Sequence, residues 1–288
     1  RGGPFNGPNN WGAGYLPAAY QGTVFRAQGD PILDLRPPAA YLTPEEQRRR
    51  IDHLVRLNQQ HEERFPGASE LAARIASYEL AYRMQGCAPE AVDLAQETEE
   101  TRRLYGLDQK ATEPFGRQCL LARRLVERGV RFVQLWSGAY VNDTVDTWDA
   151  HNSIVDNHGQ HALEVDQPIT GLLTDLKRRG LLEETLVLWH TEFGRMPISQ
   201  RGVGRDHNPN AFSFWMAGAG IPGGQIIGES DEFGYKVARQ PVSVHDFHAT
   251  VLHLLGIDHK RLTYFFNGRH MRLTDVHGEL IPQIAKKG

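Results

Sequence analysis

The stretch Thr185-Leu186-Val187-Leu188-Trp189-His190-Thr191-Glu192-Phe193-Gly194-Arg195 passes from a short apolar run into a knot of ligand-type side chains. Residues 185–190 have the length and the β-branched and aromatic content of a buried strand. Working outward, Phe212-Ser213-Phe214-Trp215-Met216-Ala217, Gln225-Ile226-Ile227 and Val130-Arg131-Phe132-Val133-Gln134-Leu135-Trp136 read as further strands. Between them lie helical patterns. Leu163, Ile169, Leu172, Leu173 and Leu176 place a helix over about 160–179, stopped by Gly180. Val244 to Leu255 is an apolar helix capped by Ser243. Strands alternating with helices predict an α/β fold, with a mostly parallel sheet and helices on its faces.

The first half of the chain is helical in pattern. Thr43-Pro44-Glu45-Glu46 has the form of a capping box with proline in the first turn, and Ile51, Leu54, Val55 and Leu57 follow at helical spacing to about Phe65. Residues 69–85 and 90–105 read as two more helices, ending at Gly86 and Gly106. A fourth runs from Glu113 to Arg128, closed by Gly129. Residues 1–22 read as a Gly- and Pro-rich loop without the charged flank and apolar stretch of a signal peptide. Residues 23–42 are turn-rich.

Composition narrows the partner classes. The chain has 288 residues, of which 40% are hydrophobic and 23% charged, with formal net charge -3. No apolar run reaches the ~18 residues of a membrane span. No basic block exceeds Arg48-Arg49-Arg50, which argues against nucleic acid. Cys87 and Cys119 lack the close spacing of a zinc knuckle or redox motif and read as small core residues.

Chemistry-bearing residues gather after the strands. Thr147-Trp148-Asp149-Ala150-His151, with Asp156, His158 and His161, follows the first strand; His190 to Arg195 follows the second; Gly204-Arg205-Asp206-His207-Asn208-Pro209 leads into the third. Loops at the carboxyl ends of strands converge on a crevice. A divalent metal takes carboxylate oxygen and imidazole nitrogen from separate segments, and these loops offer both. With 13 histidines in the chain, any single one is more often a surface or capping residue. The weight therefore rests on the coincidence of three loops. His245 can approach from the first turn of the late helix, whereas His253 reads as packed or exposed. Gly218-Ala219-Gly220-Ile221-Pro222-Gly223 matches a dinucleotide pattern, but Pro222 and the β-rich run behind it argue against the helix such a site needs, and the glycines read as a turn. No GxSxG elbow occurs, and Thr191 reads as a supporting or turn residue rather than a nucleophile.

These residues resemble a family. Trp189 to Gly194, Gly204 to Pro209, Ala211 to Gly218 and Pro241 to Gly256 are similar to a large bacterial family of sulfatase-like proteins, domain of unknown function fifteen-oh-one. Ala122 to Gly129, Trp148 to His151, Asp175 to Leu182, Gly268-Arg269 and Leu273 to Asp275 match as well. The family is similar in turn to the alkaline phosphatase and sulfatase superfamily. That resemblance implies one domain over 1–288, with a helical block at 43–128 and an α/β metal-site core at 129–288. It implies a divalent metal (zinc, manganese or calcium) at Asp149, His151, Glu192 and His207. Phe193 stands where a histidine or asparagine is usual, which puts one ligand and a second metal in doubt.

Arg195 and Arg205 are the candidates to pair with an anionic oxygen, and Thr191, Asp206, His190 and His245 surround the ligands. The resemblance implies a small anionic ester or a sulfated or phosphorylated glycan as substrate, and a periplasmic or secreted location. It also implies an N-terminal segment carrying the nucleophile, so Arg1 is expected to be a truncation point that leaves the sheet incomplete and this chain inactive alone. Three readings follow: a metal-dependent hydrolase of sulfate or phosphate esters, a non-catalytic metal- or glycan-binding protein of the same fold, and a purely structural metal.

Overall fold

A computed structural model of the chain describes residues 7–12, 16, 20–26, 29, 32, 43–65, 75, 78–80, 82, 85, 88–141 and 144–285. Contacts divide it into two compact units: residues 1–146 with Leu163–Leu172, and Thr147–Ala162 with Leu173–Gly288.

The first unit is mainly helical. Helix α1, Pro44–Arg64, opens on the expected capping box: Glu46 N–H donates to Thr43 Oγ1 at 3.2 Å, and Thr43 N–H donates back to the Glu46 carboxylate at 2.9 Å. Of the helix expected at 69–85, Ile75, Tyr78, Glu79, Leu80, Tyr82 and Gln85 are described and all are helical; Cys87 lies outside the described residues. The single helix expected over 90–105 is broken. Asp93 accepts from Ala95 N–H and starts a 3-10 turn at Leu94–Gln96; Thr98 then caps a separate helix α2, Glu99–Leu104. Short polar side chains that capture nearby backbone N–H groups end one helix and begin another.

Helix α3, Glu113–Glu127, buries Cys119 and Leu120 against Leu94 and Tyr105, and Leu104, Leu107, Phe115, Leu135 and Leu172 pack around them. Burial pushes the Cys119 thiol well above its ordinary range, so it behaves as a small apolar group. Beside this core Glu97 holds two buried guanidiniums, Arg123 at 2.6 Å and Arg124. The unit also contains the antiparallel pair β1, Ala139–Val141, and β2, Thr144–Asp146.

Helix α4, Ile154–Arg178, begins at its Ser153 cap, six residues before the apolar pattern starts, and its middle turns belong to the first unit. In the second unit β3, Leu186–Trp189, pairs antiparallel with β6, Trp215–Gly218, Trp189 lying opposite Trp215. The connection between them folds into a smaller ribbon, β4, Gly194–Arg195, against β5, His207–Asn208. Then come β7, Glu229–Ser230, paired with β8, Val237–Arg239; helix α5, Val244–Leu254; the hairpin β9, Thr263–Phe266, with β10, Arg269–Arg272; and a last turn α6, Pro282–Ala285. Ser243 and Asp246 form the capping box of α5.

Helices and strands mix as expected, but the mostly parallel sheet does not appear among the described residues. All five strand pairs are antiparallel, and Ser153 and Val203 make an isolated parallel bridge. Strand composition reports burial, not direction, so the apolar runs carry no information on which way a partner runs. The strand expected at 212–217 starts three residues later, at Trp215. The strands expected at Val130–Trp136 and Gln225–Ile227 are not formed; Phe132 and Ile226 are 79% and 93% exposed. β-propensity measures fit to a half-buried pleated surface, and an unpaired segment has none.

Candidate metal centre

The centre is assembled from one loop and one ribbon of the second unit. The loop Thr147–His151 is held by the first turns of α4. Asn157 Nδ2 donates to the Thr147 carbonyl at 2.8 Å, and His158 Nε2 donates to the Trp148 carbonyl at 3.1 Å. The Trp148 ring lies 5.4 Å from the His158 ring and 5.3 Å from buried His161. His158 and His161, read from sequence as ligand-type residues, serve this anchoring instead. Their i, i+3 spacing places both on one face of α4, which is the signal the sequence offers for a shared role.

On the ribbon, Arg195 lies directly opposite His207, so both side chains project from one face. Met196 N–H donates to the Asp206 carbonyl at 2.8 Å and keeps the two edges together. The segment before β5 runs against the loop: Arg205 N–H donates to the Ala150 carbonyl at 2.9 Å and Val203 N–H to the Asn152 carbonyl at 3.3 Å.

These supports bring three ligand atoms to one point. Asp149 Oδ1 is 2.8 Å from His207 Nε2 and 3.1 Å from His151 Nε2, and the two imidazole nitrogens are 3.1 Å apart. Around a cation bound at ~2.0–2.2 Å, neighbouring ligand atoms fall about 3 Å apart, so the triangle has the right size. Its proton chemistry fits too. His151 Nδ1 faces Asp206 Oδ1 at 3.4 Å, which favours the Nδ1–H tautomer and leaves a lone pair on Nε2. Hydrogen bonds alone cannot satisfy three such atoms along every edge; a shared cation can. The three side chains are about 40% exposed, so a cation held between them would face solvent.

Arg195 completes the arrangement. Its Nη1 donates to Asp149 Oδ1 at 2.7 Å and its side chain is mostly buried. Partial burial raises the Asp149 pKa, but hydrogen bonds from His207 and Arg195, with the guanidinium charge, outweigh it and hold the carboxylate below its ordinary value. Phe193, read as a lost ligand, packs its ring 4.3 Å from that of His207, with the Arg195 guanidinium 5.8 Å from its centre.

The other expected residues lie outside the triangle. Glu192 is exposed and accepts a hydrogen bond from Thr191 Oγ1 at 2.7 Å. Arg205 turns back to donate to the Gly204 carbonyl at 2.7 Å. His190 follows β3, while the His245 ring, on the first turn of α5, lies tilted 5.1 Å from that of His277. Burial, then the charges of His190 and His245, push the pKa of His248 down.

The fold and the site together define a mixed α/β protein with an open Asp-His-His ligand cluster and an arginine on the same carboxylate. The chain belongs to a family described as protein of unknown function (DUF1501), which matches residues 1–285. It is 28% identical over 150 residues to lipoteichoic acid synthase 2 of Bacillus subtilis (strain 168), a match covering 46% of this chain. The match spans only 20% of that protein's length. No solved structure matches the chain significantly.

Proposed function

We propose that the chain carries the metal centre of a hydrolase acting on sulfate or phosphate esters, small ones or those of a sulfated or phosphorylated glycan. The observation that carries this reading is the convergence of Asp149, His151 and His207 beside Arg195. One carboxylate among the ligands leaves a bound divalent cation with excess positive charge, and the neighbouring guanidinium adds to it. Such a site selects an anion. Asp149, His151 and His207 would hold zinc or manganese, two imidazoles being a poor match for the oxygen-seeking calcium ion; when bound, the ion supplies Lewis-acid stabilisation of charge on the transferred group's oxygens.

Arg195 pairs with an anionic oxygen of the substrate, its planar fork suiting two at once. Asp206 keeps His151 in the ligating tautomer, and Phe193 walls His207 against reorientation. On the family resemblance, Glu192 is a further ligand of the ion, Arg205 a second anion-binding arginine, and Thr191, His190 and His245 residues around the ligands. The family resemblance supports an alkaline phosphatase-like, mostly parallel sheet within one domain, and a periplasmic or secreted location. No helix of the described residues is long and apolar enough to cross a membrane.

Elemental analysis is the first test. The metal-supplied protein is expected to hold near-stoichiometric metal, and Asp149→Ala, His151→Ala and His207→Ala to bind it at least about 100-fold more weakly while staying folded, since even residues behind the ligands are worth about 10–100-fold. Hydrolysis of aryl sulfates and phosphates follows, with Arg195→Ala raising KM. A protein that binds no supplied metal refutes the centre. A metal-loaded protein silent across a broad ester panel refutes the hydrolase. The placement of Glu192 and Phe193 favours what would then stand, a non-catalytic metal- or glycan-binding protein.

A further inference from the structure

The β9–β10 hairpin lies outside the metal centre and has an unusual surface. Residues 260–273 contain Lys260, Arg261, Arg269 and Arg272 and no acidic residue, in a chain of net charge -3. Among the described residues none of these four side chains is in an ion pair with a carboxylate. The turn is Asn267-Gly268, both at positive φ (47° and 80°), the pair a tight type I′ hairpin turn requires. It fixes the register Phe266↔Arg269 and Phe265↔His270.

Opposite residues share a face, so Phe265, His270, Thr263 and Arg272 line one side and Tyr264, Met271, Phe266 and Arg269 the other. Tyr264 and Met271 are half-buried, while Phe265 is 59% exposed and Phe266, Arg269 and His270 are exposed with it around the tip. Leu262 and Leu273 flank the ribbon, also exposed.

We propose that this hairpin docks the protein on an anionic phospholipid surface. The exposed hydrocarbon of Phe265 among cations with no carboxylate partner is what an interfacial binder needs: the ring enters the boundary between headgroups and acyl chains, and the cations meet lipid phosphates. The long Arg and Lys stems let the charges stay at headgroup level while Phe265 goes deeper. Phenylalanine has no polar handle for a hydrated glycan, which is why acyl chains are the better match for its exposed face. Docking of this kind needs no membrane-spanning helix.

Flotation with vesicles tests it. The full chain is expected to float with phosphatidylglycerol mixed into phosphatidylcholine, and to stay behind with phosphatidylcholine alone or at high salt. Each cation at the surface is worth about five-fold in partitioning, so Arg269→Gln with Arg272→Gln should cost about 25-fold. Phe265→Ala should cost about ten-fold and leave the salt dependence in place. Arg49→Gln with Arg50→Gln on α1 removes the same charge elsewhere and should change nothing. Equal flotation with neutral vesicles, equal loss in the α1 variant, or unchanged binding by the hairpin variants would each overturn the proposal. So would self-association through the hairpin, or capture of a polyanion such as heparin, without vesicle binding.

Discussion

Gly204→Ala is expected to destabilise the second unit by about 3 kcal/mol or more and to disrupt metal binding along with it. A Cβ built on Gly204 lies 2.0 Å from the His151 carbonyl oxygen, 2.1 Å from its carbon and 2.5 Å from the Ala150 carbonyl oxygen. All three are backbone atoms, so no side chain can swing aside. The segment is tied to the loop on either side of the glycine, by Val203 N–H to Asn152 O and Arg205 N–H to Ala150 O. Making room means giving up at least one of these bonds and moving His151 away from Asp149 and His207. Urea unfolding beside a metal titration separates the two effects. Wild-type stability together with wild-type metal affinity would show that the loop and ribbon do not pack as described.

The glycine was visible in sequence only as part of a motif, because a close approach between segments fifty residues apart leaves no local trace. Caps are the opposite case. Thr43 with Glu46, and Ser243 with Asp246, satisfy their own first turns, so α1 and α5 start where three or four residues say they must. Helix α3 was equally legible, from the apolar spacing of Leu120, Leu121, Leu125 and Val126 and from Gly129 at its end. What failed was whatever depended on a partner: the direction of β3 and β6, the unformed strands at Val130–Trp136 and Gln225–Ile227, and the break at Asp93 and Thr98. The Asn267-Gly268 pair is a local turn signal of the same self-contained kind as the caps.

At the site, residue type identified three loops rich in Asp and His, and the structure brings Asp149, His151 and His207 together from two of them. Sequence could not separate ligands from the residues that hold them. His158 and His161 have the same side chain as His151, yet their place on α4 turns them toward Trp148. Asp206 and Glu192 are both carboxylates beside the expected ligands, but Asp206 faces His151 while Glu192 pairs with its own neighbour. Role follows from direction, and direction follows from the ribbon register that sets Arg195 against His207.

In the first unit, Glu97→Ala should cost about 3–5 kcal/mol at neutral pH, because removing one partner of a buried ion pair strands the other. Here one carboxylate serves two guanidiniums: the side chains of Glu97, Arg123 and Arg124 are 8%, 2% and 6% exposed. The lower end of the range fits best. Arg123 keeps Glu127 at 2.7 Å, and Arg124 keeps the carbonyls of Ala91 and Glu90 at 2.8 and 2.6 Å. Acid should reproduce the loss in the wild type. Burial raises the Glu97 pKa, but the hydrogen bonds and charges of Arg123 and Arg124 more than reverse it, so the folded value lies below the ordinary 4.5. A depressed carboxylate contributes its full stability above the unfolded pKa and loses it as pH falls through the folded one. Urea midpoints of the wild type should therefore drop as pH falls below about 4.5, while Glu97→Ala, already weakened at neutral pH, should show a shallower decline from this site. A loss under about 1 kcal/mol at neutral pH, or parallel acid profiles for the two proteins, would mean that Arg123 and Arg124 are solvated well enough not to need Glu97.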